Sequence, residues 1–386
     1  MKELAQTRIQ QFHHVSLENW RNFTHVDVDL KRRVFLIGAN ASGKSNLLDV
    51  FRFLHDIVAV GGGFQEAVLQ RGGVSKLRSL AARRYPDVAI RVRLGDEQAS
   101  PWEYMLRFTQ DNRQRPIIKQ EQVIRAGRII LDRPGDKDRE DPERLTQTYI
   151  EQVHANQGFR EIADFFSMVR YLHIVPQIVR DPDRSVGKMN DPYGGDFLEQ
   201  LARTPEKTRL ARLRRIQAAL QVAVPQLREL ELNRDPRGTP HLRGKYEHWR
   251  PQGAWLNEDQ FSDGTLRLMG LLWAVLAGAG PLLLEEPELS LHPEVVRYIP
   301  SMFAQVQRRS NRQIMISTHS KEMLRDEGIG LDEVLVLEPS AEGTTVAPAG
   351  AYEEVPLLVE KGVSLADAAM PRTSPAHVEQ LTLFGT

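Results

Sequence analysis

Four short segments carry residue types able to bind and split a phosphoric anhydride. Gly38-Ala39-Asn40-Ala41-Ser42-Gly43-Lys44-Ser45 fits the phosphate-binding pattern G-x-x-x-x-G-K-[ST], and Asn46 extends it into the next segment. The glycines let successive backbone N–H groups turn inward on a phosphate. Lys44 reaches the β- and γ-phosphates, and the Ser45 hydroxyl is a hard oxygen ligand for Mg2+. The apolar run Leu282 to Leu284 delivers Glu285 and Glu286 ahead of Pro287. We assign Glu285 to the metal and Glu286 to the attacking water as general base. Phe261-Ser262-Asp263-Gly264-Thr265 opens an apolar helix. It offers a hydroxyl, a glycine and a positive helix terminus to an anion, although an ordinary capped helix reads the same way. His319, in Ile316-Ser317-Thr318-His319-Ser320, can bond a γ-phosphate and steady the carboxylate of Glu286.

These groups need elements to position them. Val34 to Ile37 is a short apolar run that predicts a buried parallel strand. After the loop, Leu47, Leu48, Phe51, Leu54 and Val58 share one helical face. Val26, Val28 and Leu30 alternate, as do Val88 to Leu94 and Trp102 to Phe108, so residues 87–131 read as an antiparallel meander. The polar stretch Asp132 to Arg144 reads as a mobile loop, and Arg180 to Asp196 as another loop. Residues 145–225 read as mostly helical. Thr204-Pro205 is the expected helix start, with Leu210, Leu213, Ile216 and Leu220 on one face. Helices over 265–276 and after Pro293, and strands over 282–284, 314–317 and 334–337, return the pattern to α/β.

Composition narrows the classes. The 386 residues carry 51 basic and 51 acidic side chains, so net charge gives no argument for a nucleic-acid partner. Zero Cys excludes disulfides, thiolate metal sites and Cys nucleophiles. The longest apolar stretch, Leu268 to Leu284, is interrupted by Gly270, Gly278, Gly280 and Pro281, short of the ~20 residues that span a bilayer. A cytoplasmic protein with no membrane partner is expected.

The ordered set resembles the ABC-type ATPase superfamily. GANASGKS is similar to its Walker A, FSDGT to its signature, LLLEE to its Walker B, ELSLHP to its D-loop and STHS to its H-switch. The closer resemblance is to the RecF, SMC and OLD branch, whose chains open with a segment like LENWRNFTHVDVDL. The resemblance implies an α/β P-loop NTPase head with a RecA-like core, an antiparallel β region and a helical lobe. Core would be 1–86 and 256–340, the β region and loop 87–144, the helical lobe 145–255, and a C-terminal extension 341–386. It further implies ATP and Mg2+ as ligands, and a homodimer whose signature turn, Ser262, Asp263 and Gly264, faces the neighbour's γ-phosphate. Gln177 is the implied Mg2+ sensor. Three departures stand out: Glu285 for a common Asp, Asp263 for a common Gly, and Thr265 for Gln or Glu.

Ser262 lies 218 residues beyond Lys44 with no long heptad run between, so no coiled-coil arm is expected. Only 67 residues follow His319, with no D-x-D pair, so a nuclease in the same chain is not expected. The tail residues Gln380, Leu381, Leu383 and Phe384 resemble a peptide that docks on the DNA sliding clamp; packing on the chain's own domain is the alternative. The reading is an ATPase acting on DNA in repair or anti-phage defence, with a separate nuclease or other effector as partner. Basic support is Arg83-Arg84 and the run Arg209, Arg212, Arg214 and Arg215. The rivals are the motor subunit of a membrane transporter and a nucleotide-gated scaffold that does not hydrolyse.

Overall fold

The computed structural model describes residues 9–82, 87–96, 98–181, 190–249, 253–374 and 380. Strands β1 (Gln11–Trp20) and β2 (Phe23–Asp29) precede β3 (Arg33–Gly38), which runs straight into the phosphate loop. Then come β4 (Val88–Gly95), β5 (Trp102–Gln110), β6 (Pro116–Arg125) and β7 (Arg128–Arg133). Apart from β3, these form one six-stranded antiparallel sheet in the order β2-β1-β4-β5-β6-β7. The N-terminal strands therefore belong to the β region rather than to the core expected over 1–86. They are half-exposed alternating strands, and such strands pair by register with others of the same period.

The core sheet gathers β8 (Arg170–Leu172), β12 (Leu282–Glu285), β13 (Ile314–Ser317), β14 (Val334–Ser340) and β15 (Gly343–Pro348) around β3. Its order is β15-β14-β3-β13-β12-β8, parallel except for the β14–β15 hairpin. Both faces are covered. Val34, Leu36, Leu283, Met315 and Leu335 pack under the antiparallel sheet and the phosphate-loop helix (Lys44–Val58). Phe35, Ile37, Leu284, Ile316 and Val336 pack under the signature helix (Asp263–Leu276) and its neighbours. Two buried faces explain why these strands read as unbroken apolar runs.

The span expected as a helical lobe is mixed. It contains β8, and it contains a three-stranded antiparallel sheet of β9 (Leu227–Arg234), β10 (Pro240–Tyr246) and β11 (Ala254–Asn257). Leu230 and Leu232 do alternate, but Glu231 between them and the charged Arg228, Glu229 and Arg234 around them hide a short strand. Helix Glu206–Ala223 starts after Pro205; Thr204 instead closes the preceding helix, its hydroxyl bonding Gln200 O at 2.7 Å. Leu213, Ile216 and Leu220 of that helix are buried, whereas Leu210 is exposed.

The stretch expected as a mobile loop is pinned. Arg133 is buried and pairs with Glu121 at 2.9 Å and Asp138 at 2.8 Å. Glu121 also accepts from the backbone of Tyr149 and Ile150. One buried arginine thus organises a segment whose Pro, Gly and charge content alone reads as a mobile loop. Arg83 and Arg84 lie outside the described residues, as do Leu381, Leu383 and Phe384 of the tail; Gln380 is exposed. Among the described residues no helix is long and apolar enough to cross a membrane.

Candidate active site

The site lies at the carboxyl ends of β3, β12 and β13, where ligands of parallel sheets bind. The phosphate loop leaves β3 through Gly38. Gly43 has φ 100°, and a Cβ there would stand 2.2 Å from the Asn22 amide. Asn22 clasps the loop: its amide donates to Ser42 O at 2.9 Å and Thr344 Oγ1 at 2.8 Å, and its carbonyl accepts from Asn46 at 2.7 Å. The Trp20 indole donates to Asn46 O at 2.9 Å. The opening segment LENWRNF therefore braces the loop from outside. Lys44 is buried and its ammonium caps the carbonyls of Gly38 and Ala39 at 3.0 Å each.

β12 brings both glutamates to this loop. The Ser45 hydroxyl donates to Glu285 Oε1, and the Tyr171 hydroxyl donates to Glu285 Oε2. His173 contacts Glu285 O at 3.2 Å. Glu286 departs from the strand with φ 44°, a conformation that a non-glycine residue holds only where its surroundings enforce it. Its N–H donates to Ser317 O at 3.0 Å, and its carboxylate lies 3.3 Å from His319 Nε2. Glu288 is buried; it accepts from Thr318 Oγ1 at 2.5 Å and His319 N at 3.1 Å, tying the turn after β12 to the turn after β13.

Burial pulls the Lys44 ammonium down from 10.5 to about 8, against the pull of Glu286, Glu285 and Glu288. Burial raises Glu285, with the Ser45 bond opposing and Glu286 adding. Burial also raises Glu288. His319 is lowered by burial and by Lys44, so it is neutral near pH 7 and can share a proton with a neighbour. Among the described residues no group of three or more His, Cys, Asp or Glu could hold a metal alone. A hydroxyl beside one carboxylate suits Mg2+ that arrives with phosphates, because that ion takes one or two carboxylates and fills its octahedron with phosphate and water. Ser45 and Glu285 would supply that donor set.

The signature segment also assembles. Ser262 is exposed and caps its helix, accepting from Thr265 N at 3.2 Å. Thr265 is buried, and its hydroxyl bonds Ser262 at 2.8 Å, which accounts for its replacing a longer side chain. Asp263 is neutralised by Arg180 at 2.6 Å. Gly264 packs on the turn after β12, where a Cβ would meet Ser290 O at 2.5 Å. Gln177 donates to Asp263 at 3.4 Å and forms no hydrogen bond to Ser45 or Glu285, so within this chain it is tied to the signature turn. Asn22, Tyr171, His173 and Arg180 were not singled out from sequence. The neighbours that give them meaning are 20 to 322 positions away, and no local pattern marks them.

Residues 33–325 match the family model described as "AAA domain, putative AbiEii toxin, Type IV TA system". The chain belongs to this AAA-domain family. Two solved structures share its fold. One is the SMC head bound to the C-terminal winged-helix domain of ScpA: TM-score 0.52, 13% identity, covering 87% of this chain and 96% of that one. The other is the SMC head with an extended coiled coil bound to the C-terminal domain of ScpA from Pyrococcus furiosus: TM-score 0.53, 11% identity, covering 91% and 99%. No curated protein gave a match. The AAA domain is thus an α/β P-loop NTPase with the fold of an ABC-type ATPase head.

The lysine gives this AAA domain a pH signature. Between about 8 and 10.5 the unfolded chain holds the Lys44 proton more tightly than the folded chain. Its contribution to stability therefore rises with pH across that window and is level below it. Phosphate makes the opposite demand, because it needs the ammonium. ATP affinity should weaken about 30-fold between pH 7.0 and 9.5 from this group alone. Equilibrium dialysis with labelled ATP measures it, and Lys44→Arg, always charged, should flatten the profile.

Proposed function

We propose that this AAA domain is a Mg2+-dependent ATPase of the RecF, SMC and OLD-like branch, two copies of which close head to tail over ATP. It acts on DNA, in repair or anti-phage defence, and signals to a separately encoded effector. The observation that carries the hydrolytic reading is Glu286, held out of its strand beside His319 and in the field of Lys44 and Glu285. A carboxylate so placed can take a proton from water while neutral His319 fixes its direction. Lys44 binds the charge of the phosphates, and Ser45 and Glu285 would hold Mg2+, which neutralises phosphate charge when bound. Beside the loop lies a groove of about 740 Å³ lined by Asn22, Asn46, Lys76, Arg78 and Ser340, suited to a base and ribose.

Dimer closure is supported by the signature turn. Ser262 is exposed, Asp263 is neutralised, and exposed Leu289 sits in the turn on which Gly264 packs. DNA action is inferred from the resemblance of the motifs to the RecF, SMC and OLD branch, and is supported by Arg214 and Arg215, exposed on the helix Glu206–Ala223. Arg212 is withdrawn over Trp273 at 5.2 Å, and Arg209 donates to Thr204 O at 3.3 Å, so the basic row is shorter than the sequence suggests. The toxin named in the family description supports the defence branch. Linear duplex DNA should raise steady-state phosphate release several-fold. A flat response would remove the DNA reading and leave the ATPase standing.

A further inference from the structure

The glutamate that replaces the usual aspartate at position 285 has an additional methylene, and the structure shows what takes up its slack. The carboxylate is gripped at both oxygens, by Ser45 at Oε1 and by Tyr171 at Oε2. Tyr171 stands on β8 opposite Leu283 of β12, so its ring and the Glu285 side chain share the face that meets the phosphate-loop helix. That helix reaches the tyrosine as well. Arg52, seven residues and two turns beyond Ser45, lays its guanidinium 5.2 Å from the Tyr171 ring centroid. One helix therefore fixes both oxygens, the first directly and the second through a stacked tyrosine.

We infer that Tyr171 is a positioning residue, which holds the long Glu285 carboxylate in the single rotamer that presents it to a phosphate-borne divalent cation, and that Arg52 holds Tyr171. The inference rests on the ATPase reading above. An untethered glutamate has one more rotatable bond than aspartate and distributes its carboxylate over several staggered positions. A phenol bonded to Oε2 selects one of them before the metal arrives, and the gain appears in metal affinity.

The test uses the full chain with ADP and Mn2+, free metal being followed by electron paramagnetic resonance, with Mg2+-dependent phosphate release as a second readout. Tyr171→Phe should weaken Mn2+ binding about tenfold and leave metal-free ADP binding unchanged, while Arg52→Met should lose a smaller factor in the same direction. Glu285→Asp should cost more in the native background than in Tyr171→Phe, so that the two changes are not additive. Thermal unfolding of each variant shows that the fold is kept. Mn2+ affinity in Tyr171→Phe equal to native, or strict additivity with Glu285→Asp, would overturn the inference and leave the ATPase reading intact. A native chain that takes up neither ADP nor metal would overturn both.

Discussion

Glu286→Gln should lower the rate of ATP hydrolysis by about a thousandfold while leaving ATP binding near native strength. The amide keeps the size and the φ 44° turn of the glutamate, and it can still bond His319. It cannot accept the proton of the attacking water. Lys44, Ser45 and Glu285, which bind rather than react, are untouched, so the loss should fall on turnover and not on affinity. Phosphate release and labelled-ATP binding on one preparation separate the two. Turnover within tenfold of native would move the general-base role away from Glu286.

The second large effect is on stability. Glu121→Ala should destabilise the fold by about 3–5 kcal/mol, seen as a lower urea midpoint. Glu121 is fully buried and serves Arg133, the backbone of Tyr149 and Ile150, and the Tyr104 hydroxyl at 3.3 Å. Burial raises this carboxyl, and those hydrogen bonds oppose the rise. Removing it leaves the Tyr149 and Ile150 N–H groups without an acceptor and takes one of two carboxylate partners from the buried Arg133 guanidinium, which keeps Asp138; the loss costs more than the pair itself contributes. Glu121→Gln, which keeps an acceptor for both N–H groups, should lose less than Glu121→Ala. A single substitution within 1 kcal/mol of native would show that the segment after β7 is held by something else.

Much of the site was legible in the residues because its chemistry is local. A phosphate loop must be contiguous to wrap a phosphate, and a strand must end where its carboxylates begin. Residues 38–46 and 282–286 could therefore be placed from pattern alone, as could the strand 314–317. The capping role of Ser262 could also be read from the turn chemistry, whereas the neutralisation of Asp263 by Arg180 could not. What could not be read shares one physical cause, contact across distance. Asn22 meets Gly43 and Thr344, and Tyr171 meets Glu285, with no periodicity to announce either. The same holds for the fold. Runs buried on two faces are unambiguous, whereas β9 carries charges on both faces, β10 interleaves Arg243 and Lys245 with its apolar positions, and β11 is four residues long. Asp132 to Arg144 reads as a mobile loop because Glu121, the carboxylate that meets the organising Arg133, belongs to another strand.

The central claim is that one copy's signature turn closes over the triphosphate held by another. Glu286→Gln, mixed with ATP and Mg2+ and weighed by light scattering, tests it when the measurement is repeated with Ser262→Arg added. The account predicts twice the chain mass for the first protein and the single chain mass for the second, with ATP bound in both. A single chain mass for the first, or the doubled mass in both, would contradict it.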